Sequence, residues 1–306
     1  MTDSPGAALR HLLARTAGAL GVAGGGTPLE ARCAQAAGFE SFYVSGYATA
    51  AWRHGLPDIG LIALGEVAAA VQAVTAVTPV PVIVDADTGY GDVAGVAVTV
   101  RRLEQVGAAA IQVEDQVWPK RCGHMEGTRV IPADEMTRKI ATAVSSRRDA
   151  DTIVIARTDA REPLGLGEAI DRGKRYVDAG ADAVFVDAPR TVEELAAIAR
   201  SIPGPLVVNM TESGRTPILP LAELGTMGFA LVLFPTSALR LATATITSLF
   251  RELRTAGSSG VFAEGMATLD EVNALVGLPW FQQLETEGAD GSRAVQARPV
   301  RVPSTS

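Results

Sequence analysis

Cysteine, histidine and aromatic residues are all scarce in this chain of 306 residues, which has 2 Cys, 3 His and 5% aromatics. Cys33 and Cys122 cannot build a disulfide framework for a chain this long, so reduced thiols and a cytoplasmic setting are expected. The opening MTDSPGAALRHLL carries an acidic residue and lacks a basic segment followed by a sustained apolar one, so no secretory signal is expected. His11, His54 and His124 show no ligand spacing with the thiols, which argues against zinc chemistry. No serine sits in a Gly-x-Ser-x-Gly elbow, which argues against a Ser-His-Asp hydrolase. There is no apolar run of about eighteen residues to span a membrane. There is also no cluster of lysines or arginines, and the net charge is −7, so no nucleic-acid partner is expected.

What is present suits a large folded core, with 47% hydrophobic and 20% charged residues. Short apolar, β-branched runs recur at 20–25, 41–46, 80–87, 109–115, 151–159, 181–188, 204–211 and 229–236. Segments of helical spacing lie between them, such as 169–179 and 192–202, closing near Gly or Pro. Eight successive strand–helix units predict an α/β fold of the (β/α)8 TIM-barrel type. The segment AGGGTP at 23–28 lacks the GxGxxG spacing of a dinucleotide site and reads as a tight strand-to-helix turn. After the eighth strand two further helices are expected, at 238–256 and 269–287, one more than a minimal barrel needs. A single barrel domain over 1–287 and a flexible tail over 288–306, where Pro, Ser and Arg replace apolar periodicity, complete the organisation.

In a parallel barrel the strand C-termini converge on one mouth, and here those ends are charged. The third run ends in Asp85-Ala86-Asp87, whose alternation turns both carboxylates one way. The fourth ends in Glu114-Asp115, and the segment after the second brings Asp58. Converging carboxylates repel unless a cation holds them, and an all-oxygen donor set favours Mg²⁺ or Mn²⁺; helix capping or pairing with arginine is the alternative. Residues 116–131 are long for a βα loop and contain Lys120, Arg121, Cys122 and His124 with Gly123 and Gly127, which reads as a lid. Neighbouring positive charge would make Cys122 a reactive thiolate or a tuned proton donor; an incidental surface cysteine in a basic loop is the alternative. Cys33, at helical spacing among apolar neighbours, reads as core. Later runs end in Arg157-Thr158-Asp159, Asp187 and Asn209, and Arg240 follows the eighth. These guanidinium groups suit a small anionic carboxylate ligand, although Arg157 could instead bridge to Asp159 or to Asp187.

The motifs VDADTGYGD (84–92) and VEDQVWPKRCGH (113–124) resemble the isocitrate lyase and phosphoenolpyruvate mutase superfamily over roughly residues 5–287. PKRCGHMEG (119–127) and ARTDARE (156–162) are most similar to the branch of methylisocitrate lyase, dimethylmalate lyase and carboxyvinyl-carboxyphosphonate phosphorylmutase. The resemblance implies a barrel whose last helix is exchanged between subunits of a homotetramer, a dimer of dimers. It implies Mg²⁺ held by Asp85 and Asp87, with Asp58 and Glu114 acting through water. It assigns ligand contacts to Ser45, Gly46, Gly123, His124, Arg157, Asn209, Met210 and Thr211. The implied reaction is a retro-aldol cleavage of a 2-hydroxy di- or tricarboxylate, with Arg157 offsetting negative charge, Cys122 protonating the carbanion and Tyr43 matching the position of the base.

Several positions depart from the branch. Asp187 stands in place of Glu, Tyr47 in place of Gly or Ser, and Leu269 in place of an arginine that would meet a third carboxylate. AGGGTP also lacks the usual Asp or Asn turn. Tyr47, Asp187 and Arg240 are read as substrate-binding positions, and given these departures methylisocitrate is not the expected substrate. The alternatives are a phosphorylmutase-type isomerase, an oxaloacetate-type hydrolase or decarboxylase, and a non-enzymatic scaffold.

Overall fold

A computed structural model describes residues 3–123 and 127–289. Eight parallel strands close into a barrel: Leu20–Gly25 (β1), Phe42–Val44 (β2), Val82–Asp85 (β3), Ala108–Glu114 (β4), Ile153–Thr158 (β5), Ala183–Val186 (β6), Leu206–Asn209 (β7) and Leu231–Phe234 (β8). Each strand pairs with the next, and β8 returns to β1 with Leu20 opposite Leu231. Every predicted run overlaps one of these strands, and β4 begins one residue before its run. In β4 each of the seven residues is buried, because the interior packs one face and the helices pack the other.

The first half of the chain supplies Pro5–Arg15 (α1), Pro28–Ala36 (α2), Gly46–His54 (α3), Leu64–Thr75 (α4), Val93–Gln105 (α5) and Ala133–Ser146 (α6). The second supplies Arg161–Leu164 (α7), Leu166–Asp178 (α8), Val192–Ser201 (α9), Leu221–Met227 (α10), Ser237–Ala256 (α11), Leu269–Leu275 (α12) and Leu278–Ala289 (α13). Two apolar layers result. Leu20, Val22, Ile83, Ile155, Phe185 and Leu233 fill the barrel. Val84, Val113, Val154, Val186 and Val208 face outward onto helices through residues such as Val71, Val100 and Leu195.

The bottom of the barrel is closed by α1, an element the strand pattern does not announce. Ser4 caps it by accepting from the Ala7 amide at 3.2 Å, with Pro5 beginning the first turn. Leu9 and Leu12 enter the interior cluster, and burial of each stabilises the fold by about 1.5–3 kcal/mol. A Cβ on Gly6 would lie 2.4 Å from the Asp151 carbonyl carbon, so the helix can approach the β5 entry only with glycine there.

AGGGTP forms the expected turn. A Cβ on Gly24 would meet Pro235 Cα at 2.6 Å, and Thr27 with Glu30 makes a reciprocal cap on α2. Other expectations need correction. Cys33 is exposed on α2, whose buried residues are Ala31 and Ala34. The expected helix over 269–287 is two helices broken at Gly277, whose φ is 86°. The tail from 288 begins inside helix, since α13 runs to Ala289, and 290–306 lie outside the described residues.

Candidate active site

At the C-terminal mouth, a cavity of about 290 Å³ is lined by residues from seven strand ends and their loops. Tyr43 and Ser45 come from the end of β2, Asp85 from β3, Glu114 from β4 and Arg157 from β5. Asp187, Asn209 and Thr236 follow from β6, β7 and β8. Asp58, Tyr47, Lys120, Cys122, Gly123, Thr211 and Arg240 also line it.

The third strand ends in a bend that sets two acids side by side. Asp85 Oδ1 accepts from the Asp87 amide at 3.2 Å, and Asp87 itself sits at φ 46°, a conformation that side chains avoid unless the surroundings impose it. Both carboxylates press against Gly46, where a Cβ would lie 3.2 Å from Asp85 Oδ2 and 3.3 Å from Asp87 Oδ1. Gly46 starts α3, and Ser45 caps that helix by accepting from the Ala48 amide at 3.2 Å. The helix N-terminus therefore adds positive potential beside the acids.

Lys120 reaches from the long loop into this group. Its Nζ lies 2.7 Å from Asp87 Oδ1 and also pairs with Asp58. Burial opposes the charge, yet Asp87 and Asp58 hold the Lys120 pKa well above its ordinary value. Burial likewise pushes the Asp87 carboxyl up to about 6 against the pull of Lys120.

Arg157 organises the opposite wall. Its Nη2 donates to Asp159 Oδ1 at 2.7 Å and to Asp187 Oδ2 at 2.9 Å, so the two pairings the sequence left open both form. Nε donates to Asp159 Oδ2 at 2.9 Å and lies 3.4 Å from Glu114 Oε2. The guanidinium also lies 5.2 Å from the Phe185 ring centroid. Burial pushes the Glu114 carboxyl well above its usual range while Arg157 pulls it down. Around the cavity the buried acids Asp58, Asp85, Asp87, Glu114, Asp159 and Asp187 outnumber the buried cations Lys120 and Arg157. Glu114 Oε1, Asp187 Oδ1 and Asn209 Oδ1 are buried without a partner among the described residues, which presents acceptor atoms to a ligand.

Among the described residues no three His, Cys, Asp or Glu side chains form a ready metal cage. A Mg²⁺ ion, however, takes one or two carboxylates and keeps several waters. Asp85, with Glu114 and Asp58 on the same wall and an excess of buried negative charge, fits that requirement. Asp87 stands beside it, pairs with Lys120 and accepts from the Tyr90 hydroxyl at 3.3 Å.

A family model described as phosphoenolpyruvate phosphomutase matches residues 27–254. The chain belongs to the phosphoenolpyruvate phosphomutase family. Within it, the 2,3-dimethylmalate lyase of Eubacterium barkeri is 41% identical over 254 residues, 83% of this chain and 88% of that protein. The 2-methylisocitrate lyase of Aeropyrum pernix is 38% identical over 296 residues, 97% of this chain and 95% of that protein. A solved structure of oxaloacetate acetylhydrolase in complex with the inhibitor 3,3-difluorooxalacetate matches with a TM-score of 0.88 at 34% identity. That match covers 95% of this chain and 99% of the other.

Membership in the phosphoenolpyruvate phosphomutase family agrees with the motifs, while the geometry adjusts several residues carried over with them. Met210 does not face the cavity. It is buried in the outer apolar layer, because strand alternation turns Asn209 and Thr211 inward and Met210 outward. Tyr43 is fully buried with its hydroxyl accepting from Gln112 Nε2 at 3.0 Å, and burial, then Asp85, raises its pKa well above the ordinary value. The phenol therefore keeps its proton at neutral pH, which suits hydrogen bonding rather than service as a base. Arg240 sits at the rim, where it donates to the Glu212 carbonyl and, at 3.1 Å, to Ser213 Oγ. Leu269 is 83% exposed and is not among the cavity residues of its own chain. His124 lies outside the described residues. Lys120, read from sequence only as part of a basic loop, and Thr236 are site residues whose placement sequence reasoning missed.

Proposed function

We propose that this chain is a divalent-metal-dependent carbon–carbon lyase that cleaves a small 2-hydroxy di- or tricarboxylate into a 2-oxoacid and a carboxylate. The observation that carries this reading is the position of Cys122, whose thiol-bearing residue lines the same cavity as Asp85, Glu114 and Arg157. Breaking the bond next to a 2-hydroxyl leaves a carbanion that needs a proton, and a cysteine at the cavity wall can donate one. Transfer of a phosphoryl group between carbon and oxygen needs no such donor. A catalytic thiol is kept reduced in the cytosol, which supports a cytoplasmic setting in this reading.

When bound, Mg²⁺ or Mn²⁺ would supply Lewis acidity toward the oxygens of the 2-oxoacid, held by Asp85 and Asp87 with Asp58 and Glu114 through water. Arg157 offsets negative charge that develops on the carboxylate product, in a water-poor wall where charge interactions are strong. Ser45, Gly46, Gly123, Asn209 and Thr211 orient the substrate, and Tyr43 donates a hydrogen bond to one of its oxygens. The exposed apolar residues Leu241, Phe250, Leu253, Leu269 and Phe281 of α11–α13 support packing of the last helices on a second copy, within a homotetramer built as a dimer of dimers.

Tyr47 narrows the pocket, so the preferred substrates are C4–C6 dicarboxylates such as substituted malates. A screen of Mg²⁺-loaded protein against substituted malates, methylisocitrate and oxaloacetate, with products read by mass, tests this. Tyr47→Gly is expected to raise kcat/KM for methylisocitrate by about 10-fold or more, the size of effect that opening a pocket produces. Methylisocitrate giving the highest kcat/KM in the wild type would overturn the role of Tyr47. Oxalate or CO₂ from oxaloacetate as the dominant product would make the enzyme a hydrolase or decarboxylase instead.

A further inference from the structure

Gln116 is 2% exposed, stands at the start of the long loop and does not itself line the cavity. Its Oε1 accepts from the Arg121 amide at 2.9 Å, and its Nε2 donates to the carbonyl of that same residue at 2.8 Å. The second Nε2 proton goes to Asp159 Oδ1 at 3.0 Å. The amide orientation follows from these partners, since exchanging oxygen and nitrogen would set an acceptor against both a carbonyl and a carboxylate. One buried side chain thus grips both main-chain groups of the residue before Cys122.

The anchor on the other side is Asp159, whose Oδ1 also receives Arg157 Nη2 at 2.7 Å. Beyond Cys122 the loop rests on the same group of charges. A Cβ on Gly123 would fall 1.7 Å from Asp187 Oδ2 and 2.6 Å from Arg157 Nη2, so only glycine lets the backbone lie there. The Cys122 backbone N–H donates to the Asp58 carbonyl at 3.2 Å. Cys122 is therefore flanked on both sides by contacts that refer it to Arg157, and Gln116 supplies the contact on the N-terminal side.

We propose that Gln116 is a positioning residue for the reaction, fixing Cys122 relative to Arg157 by clamping the Arg121 peptide to Asp159. This role presupposes that Cys122 is the proton donor, whereas the clamp itself does not. Gln116→Met keeps the volume and removes every one of these hydrogen bonds. Gln116→Glu keeps the shape and sets an acceptor against the Arg121 carbonyl and Asp159.

Cys33→Ser, at an exposed position away from the cavity, provides a background in which Cys122 is the single thiol. Mg²⁺-loaded protein is treated with iodoacetamide with and without oxalate, alkylation of Cys122 is followed by mass, and kcat and KM are measured on the best substituted malate. In the background protein, oxalate is expected to slow alkylation. Gln116→Met and Gln116→Glu should lose most of that protection, and kcat should fall by about 10- to 100-fold, the loss expected when a reacting group is displaced by about an ångström. KM should stay within about threefold, a split that general loosening would not produce. Wild-type protection, unchanged kcat, or a loss confined to KM in the variants that retain the wild-type melting temperature would overturn the proposal. Failure of the donor reading is seen separately, as near-normal kcat in Cys122→Ser, and it would leave the alkylation result standing as a measure of the clamp alone.

Discussion

Asp85→Ala is expected to lose bound divalent metal and turnover together, with kcat down by about 10³-fold. A metal acting as Lewis acid contributes several kcal/mol to the transition state, and each 1.4 kcal/mol is about tenfold in rate. Asp85 is the clean position for this experiment. Its recorded protein partners are neutral donors, the Asp87 amide and Gln112 Nε2 at 3.4 Å, so its removal strands no buried cation. Asp87→Ala would instead remove one of the two carboxylate partners of buried Lys120, so a loss of turnover there would be mixed with a loss of stability. Metal content by elemental analysis, measured beside kcat at saturating Mg²⁺, checks the prediction. Full turnover in protein shown to be metal-free would refute it.

Cys122→Ser is expected to lower kcat by roughly 10²-fold or more while substrate binding survives, because a serine hydroxyl is a far weaker acid than a thiol of similar size. Cys122 lines the cavity and its backbone is fastened to the Asp58 carbonyl, so the substitution leaves the fold of the loop in place. Steady-state kcat and an equilibrium titration with oxalate and Mg²⁺ separate the two effects. Near-normal kcat would remove the cysteine from the mechanism and with it the main reason for preferring a lyase over a phosphorylmutase or a hydrolase.

The barrel was legible because buried parallel strands are written as apolar runs, and each run between 20 and 236 does overlap a strand. Helix α1 was not, since its function as a plug comes from Leu9 and Leu12 meeting the ends of strands far away in sequence. Periodicity misplaced Cys33, because a helix this rich in alanine offers no strong stripe to tell its inner face from its outer one. Among the acids, the strand-end rule brought Asp85 and Glu114 to the cavity correctly. It could not show that Lys120 would fold back from a loop to pair with Asp87 and with Asp58, the latter 62 positions away in sequence. Met210 failed for the opposite reason: a three-residue motif was carried over whole, although the two-residue period of a strand sends its middle member into the outer core.

Cleavage in deuterated water tests the central claim most directly. Mg²⁺-loaded protein is incubated with a substituted malate in D₂O, and both products are weighed by mass spectrometry. The lyase mechanism predicts a 2-oxoacid and a carboxylate in equal amounts, with one deuterium on the carbon of the carboxylate that had been bonded to the oxoacid. That deuterated product should vanish with EDTA and diminish in step with kcat in Cys122→Ser. An intact malate under these conditions, with turnover seen only on oxaloacetate or on a phosphonate, would contradict the account.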